Sequence, residues 1–314
     1  FGSKFSVGVG NGLDALTISL KTLGIKSGDE VLVPSHTFIA TWQAVRNVGA
    51  IPIPVDIEEK TYNMDPSLLE SSITSKTRAV IVVHLYGQPC NLEQIKKVAV
   101  KHNLRMIEDA AQAHGAKYKG NYIGSFSDVV CWSFYPTKNM GCFGDGGMIT
   151  TNQKKIKDMA LMIRNYGSKK KYIHSEDGIN SRLDEIQAAI LNVKLFKLEE
   201  EIIKRTKIAN TYLKEIKNES ISLPYIDKDV KHAWHLFVIR TKKRNELITL
   251  LKKKGIQTLI HYPTPPFEQK IFKSKVNICP VAKKISKEIL SLPLYPGMKM
   301  VDVKEVIKTI NSFK

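Results

Sequence analysis

Ala79-Val80-Ile81-Val82-Val83 is a short, wholly apolar and largely β-branched run. Leu92, Ile95, Val98 and Ala99 follow it with the spacing of one helical face. Next comes Leu104-Arg105-Met106-Ile107-Glu108-Asp109, an apolar stretch that ends in two acids. This order predicts a strand, a helix and a second strand. Strands that are apolar at consecutive positions must be covered on both faces. Strands of that kind separated by helices build a mostly parallel sheet with helices on each side.

The same alternation extends in both directions. Val31-Leu32-Val33-Pro34, residues 51–55, Val129-Val130-Cys131-Trp132 and Met148-Ile149-Thr150-Thr151 read as further strands, and Leu13, Leu16, Leu20 and Leu23 share a helical face. The expected fold class is therefore α/β. From Arg182 the pattern changes. One long helical tract is predicted to run to about Lys217, with Leu183, Ile186, Ala189, Ile190 and Val193 on one side. Beyond Pro224, His235-Leu236-Phe237-Val238-Ile239 reads as a strand and residues 245–254 as a helix. Gln257-Thr258-Leu259-Ile260 reads as a strand, and residues 281–290 as a helix. These elements form a small α+β domain, and the expected division is a large domain over 1–200 and, over 201–314, the end of the connecting helix with the small C-terminal domain. No repeat or low-complexity linker interrupts the chain.

The 314 residues, 43% of them hydrophobic, can bury a large core. No run of about 18 apolar residues suggests a membrane span, and no basic-then-apolar signal segment opens the sequence. Phe1-Gly2-Ser3-Lys4-Phe5 reads as the middle of a domain, which suggests that a segment precedes it. Cys90, Cys131, Cys142 and Cys279 are scattered and form no C-x-x-C pair. Reduced thiols in a cytoplasmic protein are expected, without a disulfide framework or a metal site. The net charge of +18 comes from lysines that look like solvated helix faces, such as Lys96-Lys97 and Lys252-Lys253-Lys254. No nucleic-acid module accompanies them, so no nucleic-acid partner is expected. The same field would steer an anionic substrate.

Three stretches carry chemistry. In Glu108-Asp109-Ala110-Ala111-Gln112-Ala113-His114-Gly115, acids end a strand where α/β sheets bind ligands. A capped turn with a surface acid would look similar. In Ser133-Phe134-Tyr135-Pro136-Thr137-Lys138-Asn139, a lysine precedes the glycine-rich residues 141–147, whose backbone permits close approach to a bulky ligand. An isolated loop lysine is more often simply solvated. In Gly8-Val9-Gly10-Asn11-Gly12-Leu13-Asp14, glycines open an amphipathic helix. Helix-start amides bind phosphate, and a single phosphate fits this spacing better than a pyrophosphate. A lysine amine and an acid at a strand end are what pyridoxal phosphate needs. The amine forms a Schiff base, and the acid keeps the ring nitrogen protonated.

Taken together, these motifs resemble the DegT/DnrJ/EryC1/StrS family of sugar aminotransferases. The resemblance runs through Gly28-Asp29-Glu30-Val31, Val83-His84-Leu85-Tyr86-Gly87-Gln88, residues 108–115 and 133–147, and Arg164-Asn165-Tyr166-Gly167-Ser168. It continues through Asn180-Ser181-Arg182-Leu183-Asp184-Glu185, His261-Tyr262-Pro263 and Ser291-Leu292-Pro293-Leu294-Tyr295-Pro296. It implies the type I fold of pyridoxal phosphate-dependent transferases, which is aspartate aminotransferase-like, and pyridoxal 5'-phosphate as cofactor.

The resemblance also assigns roles. Lys138 would be the Schiff-base lysine and later the acid–base, Asp109 the partner of the ring nitrogen, and Gln112 a neighbour of the ring's phenolic oxygen. Gly12, Leu13 and Ser133 would hold the phosphate, and Phe38 would stack on the ring. Asn180 would reach the phosphate of a neighbouring subunit, making the active unit a homodimer. Glutamate is the implied amino donor. The branch most like this sequence acts on dTDP-3-keto-6-deoxyhexoses and gives dTDP-3-amino-3,6-dideoxyhexoses. Tyr86, Tyr172, His174, His261 and Tyr262 are candidates for the sugar and diphosphate side, although each could serve packing alone. UDP-linked 3-keto sugars and dTDP-4-keto sugars are alternative substrates. A dehydratase of the same fold would carry histidine at position 138. A non-catalytic regulatory protein would not need Lys138, Asp109 and Gln112 together.

Overall fold

The computed structural model describes residues 1–272 and 279–314. The first part of the chain runs β1 (Phe5–Val9), α1 (Gly12–Thr22), β2 (Glu30–Pro34), α2 (Ile39–Asn47), β3 (Ile51–Val55), β4 (Thr77–Val83), α3 (Leu92–Lys101) and β5 (Arg105–Asp109). Two short strands, β6 (Lys117–Tyr118) and β7 (Asn121–Tyr122), precede β8 (Val129–Ser133), β9 (Gly147–Thr151) and α4 (Lys154–Ile163). A hairpin of β10 (Ser168–Lys170) and β11 (Ile173–His174) leads to α5 (Glu185–Leu195) and α6 (Leu198–Glu215). The remainder is β12 (Val230–Lys231), β13 (Phe237–Arg240), α7 (Arg244–Lys253), α8 (Pro280–Glu288), β14 (Ile289–Leu292) and α9 (Met300–Asn311).

Seven strands form the main sheet in the order β1-β9-β8-β5-β4-β2-β3. The pairs β2–β3, β2–β4, β4–β5 and β5–β8 are parallel, whereas β9 runs antiparallel to both β1 and β8. This is the expected mostly parallel α/β sheet with one reversed strand.

The strands are apolar at consecutive positions because each face has its own core. Leu32, Val80, Val82, Met106, Val130 and Trp132 enter one core with α3. Val31, Val33, Ala79, Ile81, Ile107, Val129 and Cys131 enter the other, with residues of α1, α2 and α4. Side chains alternate faces with period two, so both sets must be apolar. Each fully buried aliphatic side chain contributes about 1.5–3 kcal/mol. A third core joins α6, α7 and α9 to β13 and β14.

Three local expectations are corrected. The tract after Arg182 is two helices, broken at Phe196-Lys197, rather than one. The side that carries its apolar residues is largely open: α5 buries only Leu191, and Ile186 and Val193 are exposed. Apolar periodicity locates a face but does not say what covers it. Residues 257–260 form no strand and contribute an isolated bridge, Leu259 to Ser291. The helix expected over 281–290 stops at Glu288, and Ile289 and Leu290 open β14 because they pair with β13 and their side chains enter separate cores on its two faces.

Helix α6 couples the two parts of the chain. Leu198 and Ile202 belong to the core beside the main sheet, and Ile208, Ala209 and Tyr212 to the C-terminal core. The expected boundary at 200/201 therefore falls within this helix. Among the described residues no helix is long and apolar enough to cross a membrane, and no group of His, Cys, Asp or Glu side chains could hold a metal ion.

Candidate active site

The strands β1, β2, β4, β5 and β8 run in one direction, so the loops after them meet at one edge of the sheet. That edge carries Gly12, Phe38, Tyr86, Asp109, Gln112, Ser133 and Lys138. Crevices beyond the carboxyl ends of parallel strands are the usual ligand sites of such folds.

Asp109 ends β5 and is buried. Its Oδ2 accepts a 2.9 Å hydrogen bond from the Thr41 hydroxyl and its Oδ1 accepts one of 3.2 Å from the Ala111 amide. Burial pushes its pKa upward, and these two donors and the charge of Lys138 oppose that. Burial lowers the pKa of Lys138, and the Asp109 carboxylate partly offsets this. No ion pair joins the two among the described residues, although each feels the other's charge.

The phosphate side is equally compact. Asn11 caps α1 by accepting from the Asp14 amide at 2.8 Å. The Gly12 and Leu13 amides, at the helix start, have no intrahelical acceptor. A Cβ on Gly12 would lie 2.8 Å from the Ser133 Cβ, so only glycine lets the two segments approach this closely. The sequence expectation that Gly12, Leu13 and Ser133 serve one group is thus compatible with their placement.

Gln112 links two parts of the chain. Its Oε1 accepts the Tyr86 amide at 2.6 Å, and its Nε2 donates to the Tyr262 hydroxyl at 3.0 Å. Tyr262 packs against Phe38, with ring centroids 5.4 Å apart. Phe38 is half exposed, as a residue at the mouth of a site would be. His261 lies close enough for the Lys138 charge to help lower its pKa, burial being the larger cause. Its Nδ1 is 2.8 Å from the Ser291 hydroxyl. An open cavity of about 1000 Å³ runs from His261 past Leu259, Ser291 and Tyr295.

Tyr86 is a buried junction. Its hydroxyl lies 2.9 Å from His36 Nε2 and donates to the His261 carbonyl. Its own carbonyl accepts from the His235 amide at 3.0 Å. It holds a left-handed backbone at φ 59°, which is uncommon outside glycine. Gly87 follows because a Cβ there would come within 3.0 Å of the Trp234 amide.

Three of the expected site residues are exposed. Asn180 is exposed, its Oδ1 accepting from Arg182 at 3.0 and 2.6 Å. Tyr172 is 84% exposed on the hairpin of β10 and β11. His174 is also exposed, with Nδ1 2.8 Å from the Tyr166 carbonyl. Among the described residues, none of the three has a hydrogen bond to the residues around Lys138.

The sequence reading overlooked Thr41, Thr37 and His36, all of which are buried in this cluster. One signal was present: Thr37 and Thr41 are polar residues that flank the start of α2 on either side of Phe38.

This arrangement fits pyridoxal phosphate: a desolvated amine, an opposed buried carboxylate, a helix start closed against a serine, and aromatic rings at the mouth. Comparison with known proteins agrees with it. A family model described as DegT/DnrJ/EryC1/StrS aminotransferase family matches residues 1–311. A curated dTDP-3-amino-3,6-dideoxy-alpha-D-galactopyranose transaminase from Aneurinibacillus thermoaerophilus is 48% identical over 99% of this chain and 86% of its own length. DesV of S. venezuelae, solved in complex with a ketimine intermediate, is 43% identical and covers 98% of this chain and 84% of its own, with TM-score 0.96. The NtdA protein of Bacillus subtilis, solved with bound cofactor PMP, is 31% identical. Its match covers 98% of this chain and 73% of its own, with TM-score 0.92.

Proposed function

The chain belongs to the DegT/DnrJ/EryC1/StrS aminotransferase family, and from that premise we propose that it moves an amino group onto the C3 ketone of a dTDP-3-keto-6-deoxyhexose. The product is a dTDP-3-amino-3,6-dideoxyhexose, and glutamate is the donor. It is an aminotransferase whose cofactor is pyridoxal 5'-phosphate. The near-complete match to the Aneurinibacillus transaminase carries the substrate reading.

When bound, the cofactor supplies an aldehyde that takes up amines and a ring that withdraws electrons. The rest is the work of this chain's residues. Gly12, Leu13 and Ser133 hold the phosphate with two amides and a hydroxyl. Asp109 holds a proton at the ring nitrogen. Phe38 would stack on the ring, with Tyr262 packed against it. Lys138, with its ammonium form disfavoured by burial, is available as a neutral amine and carries a proton at Nζ between donor or sugar carbon and cofactor. The presence of Lys138, Asp109 and Gln112 together argues against a non-catalytic regulatory protein.

Burial raises the pKa of the Tyr262 phenol, so it stays protonated. Because Gln112 donates to it, the phenol's own proton is left for another acceptor. This supports Tyr262 on the sugar side, with His261 beside it. Tyr172, His174 and Asn180 act across a homodimer interface in this reading. The open apolar side of α5, with Phe196 just beyond it, supports pairing with a second copy. The four cysteines are buried, in keeping with a cytoplasmic setting.

The test is turnover by the purified protein with pyridoxal phosphate and glutamate on a panel of keto sugars. The dTDP-3-keto-6-deoxyhexoses should be aminated fastest, with ping-pong kinetics. Preference for a UDP-linked 3-keto sugar or a dTDP-4-keto sugar would overturn the substrate reading. Absence of any transamination would overturn the enzyme reading.

A further inference from the structure

Thr41 lies in the first turn of α2, and its side chain reaches the end of β5. Its hydroxyl donates to Asp109 Oδ2 at 2.9 Å, and its oxygen is 3.0 Å from the Thr37 hydroxyl. Both threonines are buried. A carboxylate can only accept, so the single proton of Thr41 is committed to Asp109. Thr37 must then be the donor to Thr41. The two hydroxyls form a directed chain ending on the carboxylate.

Other features favour the same charge. The Ala111 amide donates to Oδ1 at 3.2 Å. The start of α2, where Phe38 makes no side-chain cap, presents the positive end of the helix dipole near the Thr41 contact. Lys138 contributes its charge only while its amine is protonated, and that changes as it carries protons. Thr41 and Ala111 donate regardless of the state of Lys138.

We propose that Thr41, oriented by Thr37, is a positioning residue that keeps Asp109 ionised and aimed at the cofactor ring throughout the reaction. The hydroxyl replaces the water that an exposed carboxylate would have. Its hydrogen bond is charge-assisted and desolvated, so its loss cannot be compensated by solvent.

The experiment compares the holoenzyme with Thr41→Val, Thr41→Ser and Thr37→Val. Valine keeps the shape and removes the hydroxyl, while serine restores it. In Thr41→Val the cofactor should remain bound, kcat should fall about ten- to a hundredfold, and KM for the keto sugar should hold, as expected for the loss of a hydrogen bond to a charged group. The pH at which the bound cofactor's visible absorbance titrates should move upward by about one unit, because a less charged ring repels a proton at the Lys138 nitrogen less. Thr41→Ser should recover both values, and Thr37→Val should shift both in the same direction by less. Equal impairment of the serine and valine variants would mean that Thr41 acts through packing, and an unshifted absorbance titration in Thr41→Val would also overturn the proposal. Should Thr41→Val fail to fold, Thr37→Val decides: an unshifted titration and unchanged kcat there would overturn it.

Discussion

The side-chain amide of Gln112 and the hydroxyl of Tyr262 meet at 3.0 Å, joining the loop after β5 to the segment that precedes α8. The amide orientation follows from its second contact: Oε1 faces the Tyr86 amide, which leaves Nε2 for Tyr262. The two residues act together, one aligning the other. Tyr262→Phe keeps the ring against Phe38 and removes the hydroxyl. It should lower kcat/KM for the keto sugar about tenfold or more while leaving cofactor affinity nearly unchanged, consistent with a lost hydrogen bond to substrate. Steady-state kinetics and a cofactor titration check both halves.

Lys138 and Asp109 should fail differently. Lys138→Ala should abolish the visible band expected near about 410–430 nm for cofactor bound to a lysine. Asp109→Asn should keep the cofactor and still lose turnover, by about a hundredfold or more, because a neutral amide no longer holds the proton at the ring nitrogen. Absorbance and turnover of the two variants distinguish the roles. Near-normal activity in Asp109→Asn would contradict its assignment.

Tyr86→Phe tests the junction. The change leaves His36 Nε2 and the His261 carbonyl without their shared hydroxyl. A buried group left unsatisfied costs about 1–3 kcal/mol, so chemical denaturation should show a loss of that size. A loss confined to substrate affinity, with stability unchanged, would place Tyr86 on the sugar side instead.

Acid should unfold the protein early. Burial lowers the pKa of His36 to about 4, and those of His114 and His232 to about 3. In the unfolded chain these rings take up protons near about pH 6.5. Their full contribution is therefore present above that pH, and stability falls as pH drops toward the folded values. Each ring costs about 3 kcal/mol by pH 4, a large share of the usual 5–15 kcal/mol. Denaturant midpoints measured between pH 7.5 and 4.5 should fall steadily. His232→Asn keeps an acceptor for the Trp234 amide, which donates at 2.8 Å, and should flatten that slope.

The main sheet was legible because its strands are buried on both faces and so read as unbroken apolar runs. Residues 79–83 and 104–109 became β4 and β5 for that reason. The C-terminal part was read less well. Ile289 and Leu290 continue an amphipathic helical pattern, yet pairing with β13 makes them strand. The exposed side of α5 has the same apolar spacing as a buried one.

Sequence alone determined the α/β alternation, the lysine and acid, and the glycine helix start. Period-two and period-3.6 patterns are local, and glycine's freedom belongs to the residue itself. Only the tertiary structure decided which groups share a proton or a carbonyl. Thr41 meets Asp109, Gln112 meets Tyr262, and Tyr86 joins His36 to His261 across long stretches of chain. The strength of each contact depends on how far the surrounding core excludes water, and that is set by neighbours brought together in folding rather than by neighbours in sequence.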